Sequence, residues 1–211
     1  SKDLIETLNR FFGKTTWGHV QAIPVPKVEI DTTKQQIHFI EKPETIQSAV
    51  RVGRLMFNKK NPDYFKFQVL NTILGGYFGS RLMANIREDK GYTYGIGSGL
   101  ASLVNGGFFY ISTEVGTDVT NDTLKEIYKE IKLLREELVD SDELETVRNY
   151  VLGQFLRSVD GPYSLADKFK AIWEFGLDYD YFEKYFEAVK TITPEEIKAL
   201  ANTYLQEKDL I

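Results

Sequence analysis

The sequence predicts an α+β fold, an antiparallel-dominated sheet covered by helices on one side. Segments of period two all fall before residue 116, and an Asn105-Gly106 turn signal stands between two of them. From Thr120 onward, apolar residues recur at helical spacing almost without a break. The 211 residues, 42% of them apolar, suit one large domain that buries about two-thirds to three-quarters of its unfolded surface.

Leu4, Ile5, Leu8, Phe11 and Phe12 share one face of a helix over residues 2–12, which Gly13 ends. Trp17-Gly18-His19 and Pro24-Val25-Pro26 read as an extended connector, because proline holds its predecessor in extended geometry. Ile37-His38-Phe39-Ile40 and residues 48–55 are expected strands on either side of a Lys42-Pro43-Glu44 turn. A helix over 62–74 follows, with Asn61 as N-cap, Pro62 at its first position and Gly75 past its end. After Gly79, Leu82, Met83 and Ile86 recur at helical spacing until Gly91, the expected left-handed stop. Beyond it the period becomes two. Tyr92, Tyr94, Ile96 and Leu100 are expected on one bulky strand face, with Gly95, Gly97, Gly99 and Ala101 on a nearly bare one.

An Asn105-Gly106 type I′ turn is expected to return the chain along 107–115, antiparallel to the Tyr94 strand. Helices are predicted over 120–138, from a capping box at Asp140-Ser141-Asp142-Glu143 to about Val159, over 164–175 and over 179–191. Asp160-Gly161-Pro162 breaks the series, and Thr193-Pro194-Glu195-Glu196 is a second capping box opening a last helix to Tyr204. The final Lys208-Asp209-Leu210-Ile211 reads as the start of an apolar strand, as in an excised piece of a longer chain.

The run LGGYFGSRLMANIREDKGYTYGIGSGL, residues 74–100, is the most distinctive stretch. It resembles the C-terminal homology domain of the M16 (pitrilysin, or insulinase) zinc peptidases. Leu74, Gly75, Gly76, Ser80, Arg81, Leu82, Ile86, Arg87, Glu88, Gly91 and Tyr94 stand where that family's pattern wants them, with Tyr77 replacing a third Gly and Gly79 a Ser. The likeness extends to KPETIQSAVRVG before it and YFEKYFEAVKTITPEEIKALA near the end. What the resemblance implies is a metallopeptidase half-domain of the LuxS/MPP-like type over residues 31–211, with 1–30 as an inter-domain linker. It also implies that Arg87 and Tyr94 reach a peptide substrate from the half that carries no zinc.

Composition narrows the chemistry independently. With 26 basic and 31 acidic residues and no long basic block, the footprint of a nucleic-acid binder is missing. No apolar run has the length of a membrane span, and the absence of cysteine removes thiolate catalysis and thiolate metal sites. His19 and His38 are nineteen residues apart and lack His-x-x-Glu-His spacing, so this chain is expected to bind no zinc. Carboxylate-rich Glu143-Leu144-Glu145 and Arg135-Glu136-Glu137 read as capping and solvated helix faces. Gly95, Gly97 and Gly99 sit within a strand and match no phosphate-binding loop.

For Arg87 and Tyr94 two readings stand. One is structural, an Arg satisfying its helix's last carbonyls and a Tyr filling the core. The other has both tips turned to one point, where guanidinium and phenol donate to a substrate carbonyl or developing oxyanion. The expected function is the substrate-positioning half of a zinc metallopeptidase acting on extended or unfolded peptides. Its partner would be a metal-bearing half carrying His-x-x-Glu-His, in the same polypeptide or a separate subunit, and the complete enzyme would hold zinc. The competing reading is a non-catalytic interaction subunit on the same fold, like respiratory-complex core proteins. A bacterial periplasmic or envelope location would follow if an upstream part carried a signal peptide.

Overall fold

The computed structural model describes residues 1–13 and 37–211, and the chain divides into two compact units, Ser1–Asp31 and Thr32–Ile211. In the first, α1 (Lys2–Phe12) starts at Ser1, whose hydroxyl accepts the Leu4 N–H at 3.3 Å. No residue of α1 is buried. The expected connector, with His19, lies outside the described residues.

In the second unit β1 (Gln47–Met56), β2 (Thr93–Leu103) and β3 (Gly106–Gly116) form an antiparallel sheet of order β1-β3-β2. Alternation along β3 sends Phe109, Ile111, Thr113 and Val115 inward, and Phe108, Tyr110 and Glu114 outward. Val50, Val52 and Ile96 extend the inner face. Onto it pack α2 (Tyr64–Asn71) and α3 (Thr120–Glu136), and against these helices pack α4 (Ser141–Arg157) and α7 (Pro194–Tyr204), in one core that holds Phe67, Leu70, Ile131, Leu134, Val147 and Ile197. Two further helices, α5 (Pro162–Phe175) and α6 (Tyr181–Thr191), complete the unit. The α+β expectation is met, with helices gathered on the buried face.

Residues 37–40 form no strand: Ile37, Phe39 and Ile40 are 90%, 84% and 80% exposed. An apolar run becomes a strand only where an edge receives it. On the outer edge of β1 it is Ile211 that pairs, its N–H donating to the Gly53 carbonyl at 2.8 Å and its carbonyl accepting the Gly53 N–H at 2.9 Å. The hairpin also differs from expectation. Leu103 pairs with Gly106, so Val104 and Asn105 make the turn, and neither has a positive φ, which rules out type I′.

Helix α2 starts at Tyr64, two residues past Pro62, so its N-cap is Asp63 and not the expected Asn61, whose Oδ1 instead accepts the Asp63 N–H at 2.8 Å in the turn before the helix. It does not end before Gly75 but widens into a π-helical turn, Thr72–Gly76, that contains the glycine. At α4 the expected capping box is half formed. Asp140 Oδ1 accepts from the Asp142 N–H at 2.8 Å, while the Glu143 carboxylate turns instead to Arg81. The Thr193 box at α7 is complete, and Glu196 also pairs with Lys66 of α2.

Candidate functional site

The site grows from the outer edge of β2. There the π-helical turn brings Gly75 against the strand so closely that an added Cβ would stand 2.7 Å from the Ser98 nitrogen. Only glycine permits that approach. The chain then loops through Tyr77 and Phe78 into a second π-helical segment, Met83–Asp89, with Leu82 and Ile86 fully buried. Two polar anchors fix this segment. Arg81 grips Glu143 with Nε to Oε1 at 2.8 Å and Nη2 to Oε2 at 2.6 Å. Asn85 donates to Glu126 at 2.9 Å and to Glu130 at 2.6 Å, and its amide is the main cause holding the Glu126 carboxyl below the usual carboxylate range.

Arg87 occupies the last turn, and Gly91, at φ +66°, reverses the chain. The Tyr92 N–H reaches back to the Ile86 carbonyl at 3.0 Å, one residue further than in an ordinary Schellman cap, because the helix is wide. Strand β2 then begins with a β-bulge, Tyr94 and Gly95 together opposing Glu114. Backbone groups freed by the bulge are taken up by hydroxyls. The Gly95 N–H donates to Thr93 Oγ1 at 3.1 Å, Thr113 Oγ1 donates to the Gly95 carbonyl at 3.0 Å, and Thr93 Oγ1 donates to the Glu114 carbonyl at 2.7 Å.

Tyr94, far from filling the core, is 94% exposed. The Arg87 guanidinium carbon stands 5.6 Å from its ring centroid and 4.6 Å from that of Phe78, so the cation lies between two rings. One guanidinium nitrogen donates to Glu88 Oε1 at 2.7 Å. Beside this group, the Gly76-Tyr77-Phe78 loop, Met83 and Gly95-Ile96-Gly97 line an open cleft of about 390 Å³. Phe78 belongs to both cleft and sandwich, a role that sequence spacing did not reveal. Its one signal was an aromatic residue set between glycines at 76 and 79, where burial was improbable.

These side chains do not fit a zinc site. Among the described residues no three His, Cys, Asp or Glu side chains converge, His38 is exposed, and His19 lies outside those residues. No described helix is long and apolar enough to cross a membrane.

Fold and site together define an α+β domain in which no metal centre forms among the described residues. Residues 1–151 match the family model of the peptidase M16 inactive domain, and the chain belongs to that family. It is 26% identical over 160 residues to the zinc protease YmxG of Bacillus subtilis, covering 76% of this chain and 38% of YmxG. An M16 inactive domain from Pseudomonas fluorescens superposes with a TM-score of 0.72 at 26% identity, over 78% of this chain and 39% of that one. A Helicobacter pylori protease gives 0.89 over 100% of this chain and 51% of its own, at 16% identity, a likeness of fold alone. The chain therefore spans well under two-thirds of the length of each of these three relatives.

Proposed function

We propose that this domain is the substrate-positioning half of an M16-type zinc metallopeptidase that cleaves extended or unfolded peptides. The observation that carries the reading is the meeting of Arg87 with Tyr94 beside an open cleft. Cation–π contacts use the plane of the guanidinium, so the N–H groups of Arg87 that do not bond Glu88 stay available. Those groups and the exposed Tyr94 hydroxyl donate to a peptide carbonyl and to the charge that develops on it. An extended substrate lies across the cleft beside Gly95-Ile96-Gly97, where Phe78 and Met83 take a side chain. Zinc in the complete enzyme, and the water it activates, belong to a partner half carrying His-x-x-Glu-His; the described residues of this chain bring no three ligands together. The meeting of Arg87 with Tyr94 also favours this reading over a non-catalytic interaction subunit, which has no use for an exposed donor pair.

The test is an assay on the domain combined with its metal-bearing half, using an unstructured peptide with and without chelator. Arg87→Ala and Tyr94→Phe are each expected to lower kcat by about 10²-fold, with smaller effects on KM, because the donors act mainly in the transition state. Full turnover in folded variants, or equal cleavage by the metal half alone, returns both residues to a structural role.

A further inference from the structure

A second cavity, also of about 390 Å³, lies away from the Arg87–Tyr94 site, between α2, the end of α4, α5 and α6. Its walls are aromatic. Phe65 stands 4.7 Å and 5.3 Å, centroid to centroid, from Tyr181 and Tyr185, and Phe155 stands 5.4 Å from Phe182 and from Tyr185. Two ammonium groups share the cavity, Lys59 from the segment before α2 and Lys168 from α5. Although acidic residues outnumber basic ones in the chain, neither lysine makes an ion pair among the described residues. Each rests on a ring instead, Lys59 Nζ 5.0 Å from the Phe175 centroid and Lys168 Nζ 5.6 Å from that of Phe155.

The two charges also oppose each other. Burial first, and then the Lys168 charge, push the Lys59 ammonium below its ordinary range, and Glu174 offsets this only in part. The phenols of Tyr181 and Tyr185 line the same space and make no hydrogen bond among the described residues; burial raises both, Tyr185 to about 12, so they remain protonated donors at neutral pH. Half-buried, mutually repelling cations, free phenolic donors and flat apolar walls are complementary to one kind of occupant. It is an anion with a ring attached, whose charge relieves the repulsion and whose ring finds edge and face contacts.

We propose that this cavity binds an aromatic carboxylate, the carboxylate bridging Lys59 and Lys168 and the ring lying among Phe65, Phe155 and Tyr185. Such a group is carried by a free arylalkanoic acid and by the C-terminal residue of a peptide ending in Phe or Tyr. Calorimetric titration of the 211-residue chain with 3-phenylpropionate and with acetyl-Ala-Ala-Phe, each against its carboxamide, tests the assignment. Saturable binding is expected for at least one acid, about tenfold or more tighter than for its amide. K59M and K168M are each expected to weaken it by about tenfold, whereas K170M, outside the cavity on α5, leaves it unchanged. Tighter binding of the free acid supports a diffusible ligand, and tighter binding of the tripeptide supports a peptide C-terminus. Equal binding of acid and amide, indifference to both lysine substitutions, or no saturable binding of either acid overturns the proposal. The measurement needs no metal-bearing partner, so its failure leaves the peptidase reading untouched.

Discussion

Gly75 is where a single methyl group can be made to test the architecture of the site. Built onto that residue, a methyl would stand 2.6 Å from Ser98 Oγ, 2.7 Å from Ser98 N and 3.0 Å from Leu82 Cδ1. The hydroxyl can rotate aside at the expense of its 3.3 Å bond to the Asn71 carbonyl. The backbone nitrogen can retreat only if β2 and the π-helical turn part by several tenths of an ångström. Overpacking of this kind costs about 1–3 kcal/mol, which for a chain of this size lowers Tm by roughly 2–12 °C. Gly95→Ala is the matched control, since nothing lies within 4 Å of its added methyl. The same chemical change there is expected to stay within about 0.5 kcal/mol of wild type. Thermal and urea unfolding followed by circular dichroism read both variants. Equal losses, or no loss in Gly75→Ala, would refute the claim that glycine is required by the approach of β2.

Arg81→Leu is expected to cost about 1–2 kcal/mol, the range for hydrogen bonds to charged groups discounted for partial exposure. A double-mutant cycle with Glu143→Gln, read by urea unfolding, should show coupling above about 0.5 kcal/mol, and independent effects would remove the proposed anchor. The Glu196 carboxyl is held below the usual carboxylate range, chiefly by its hydrogen bond from Lys66. A depressed folded value stabilises fully above the unfolded pKa, near 4.3, and the contribution is lost as pH falls through the folded value. Glu196→Gln should therefore flatten the decline of Tm between about pH 5 and 3, and a superimposable acid limb would contradict the assignment.

What was legible in the sequence was chiefly local. The burial of Leu82, Met83 and Ile86 followed from their spacing, and it holds although the segment is a wider helix than a 3.6-residue period implies. The cap at Thr193 was legible because it is a short-range contact between a side chain and the next turn. Strand status was not. Ile37-His38-Phe39-Ile40 has the composition of a strand, yet pairing is decided by which segment reaches an edge, and Ile211 reaches it from the far end of the chain. Glu143 was misread for the same reason, its partner Arg81 lying 62 residues away.

The site shows where local reasoning stops. A seven-residue step from Arg87 to Tyr94 across a helix end, a left-handed glycine and a strand start brings the two residues near each other, and that was readable. Which way Tyr94 faces was not. Strict alternation puts Tyr94 on the same side as Ile96, which is buried, and so predicts a core tyrosine. But Thr93 pairs with inward-facing Val115 and Ile96 with inward-facing Thr113, so three steps on β2 must match two on β3. The bulge absorbs the extra residue and turns Tyr94 outward opposite Glu114, under the Arg87 guanidinium. The demand that sets this orientation comes from β3, through Val115 and Thr113, and not from the motif that contains the tyrosine. A motif match can therefore name both members of the pair, but only the register of the neighbouring strand decides that they meet in solvent.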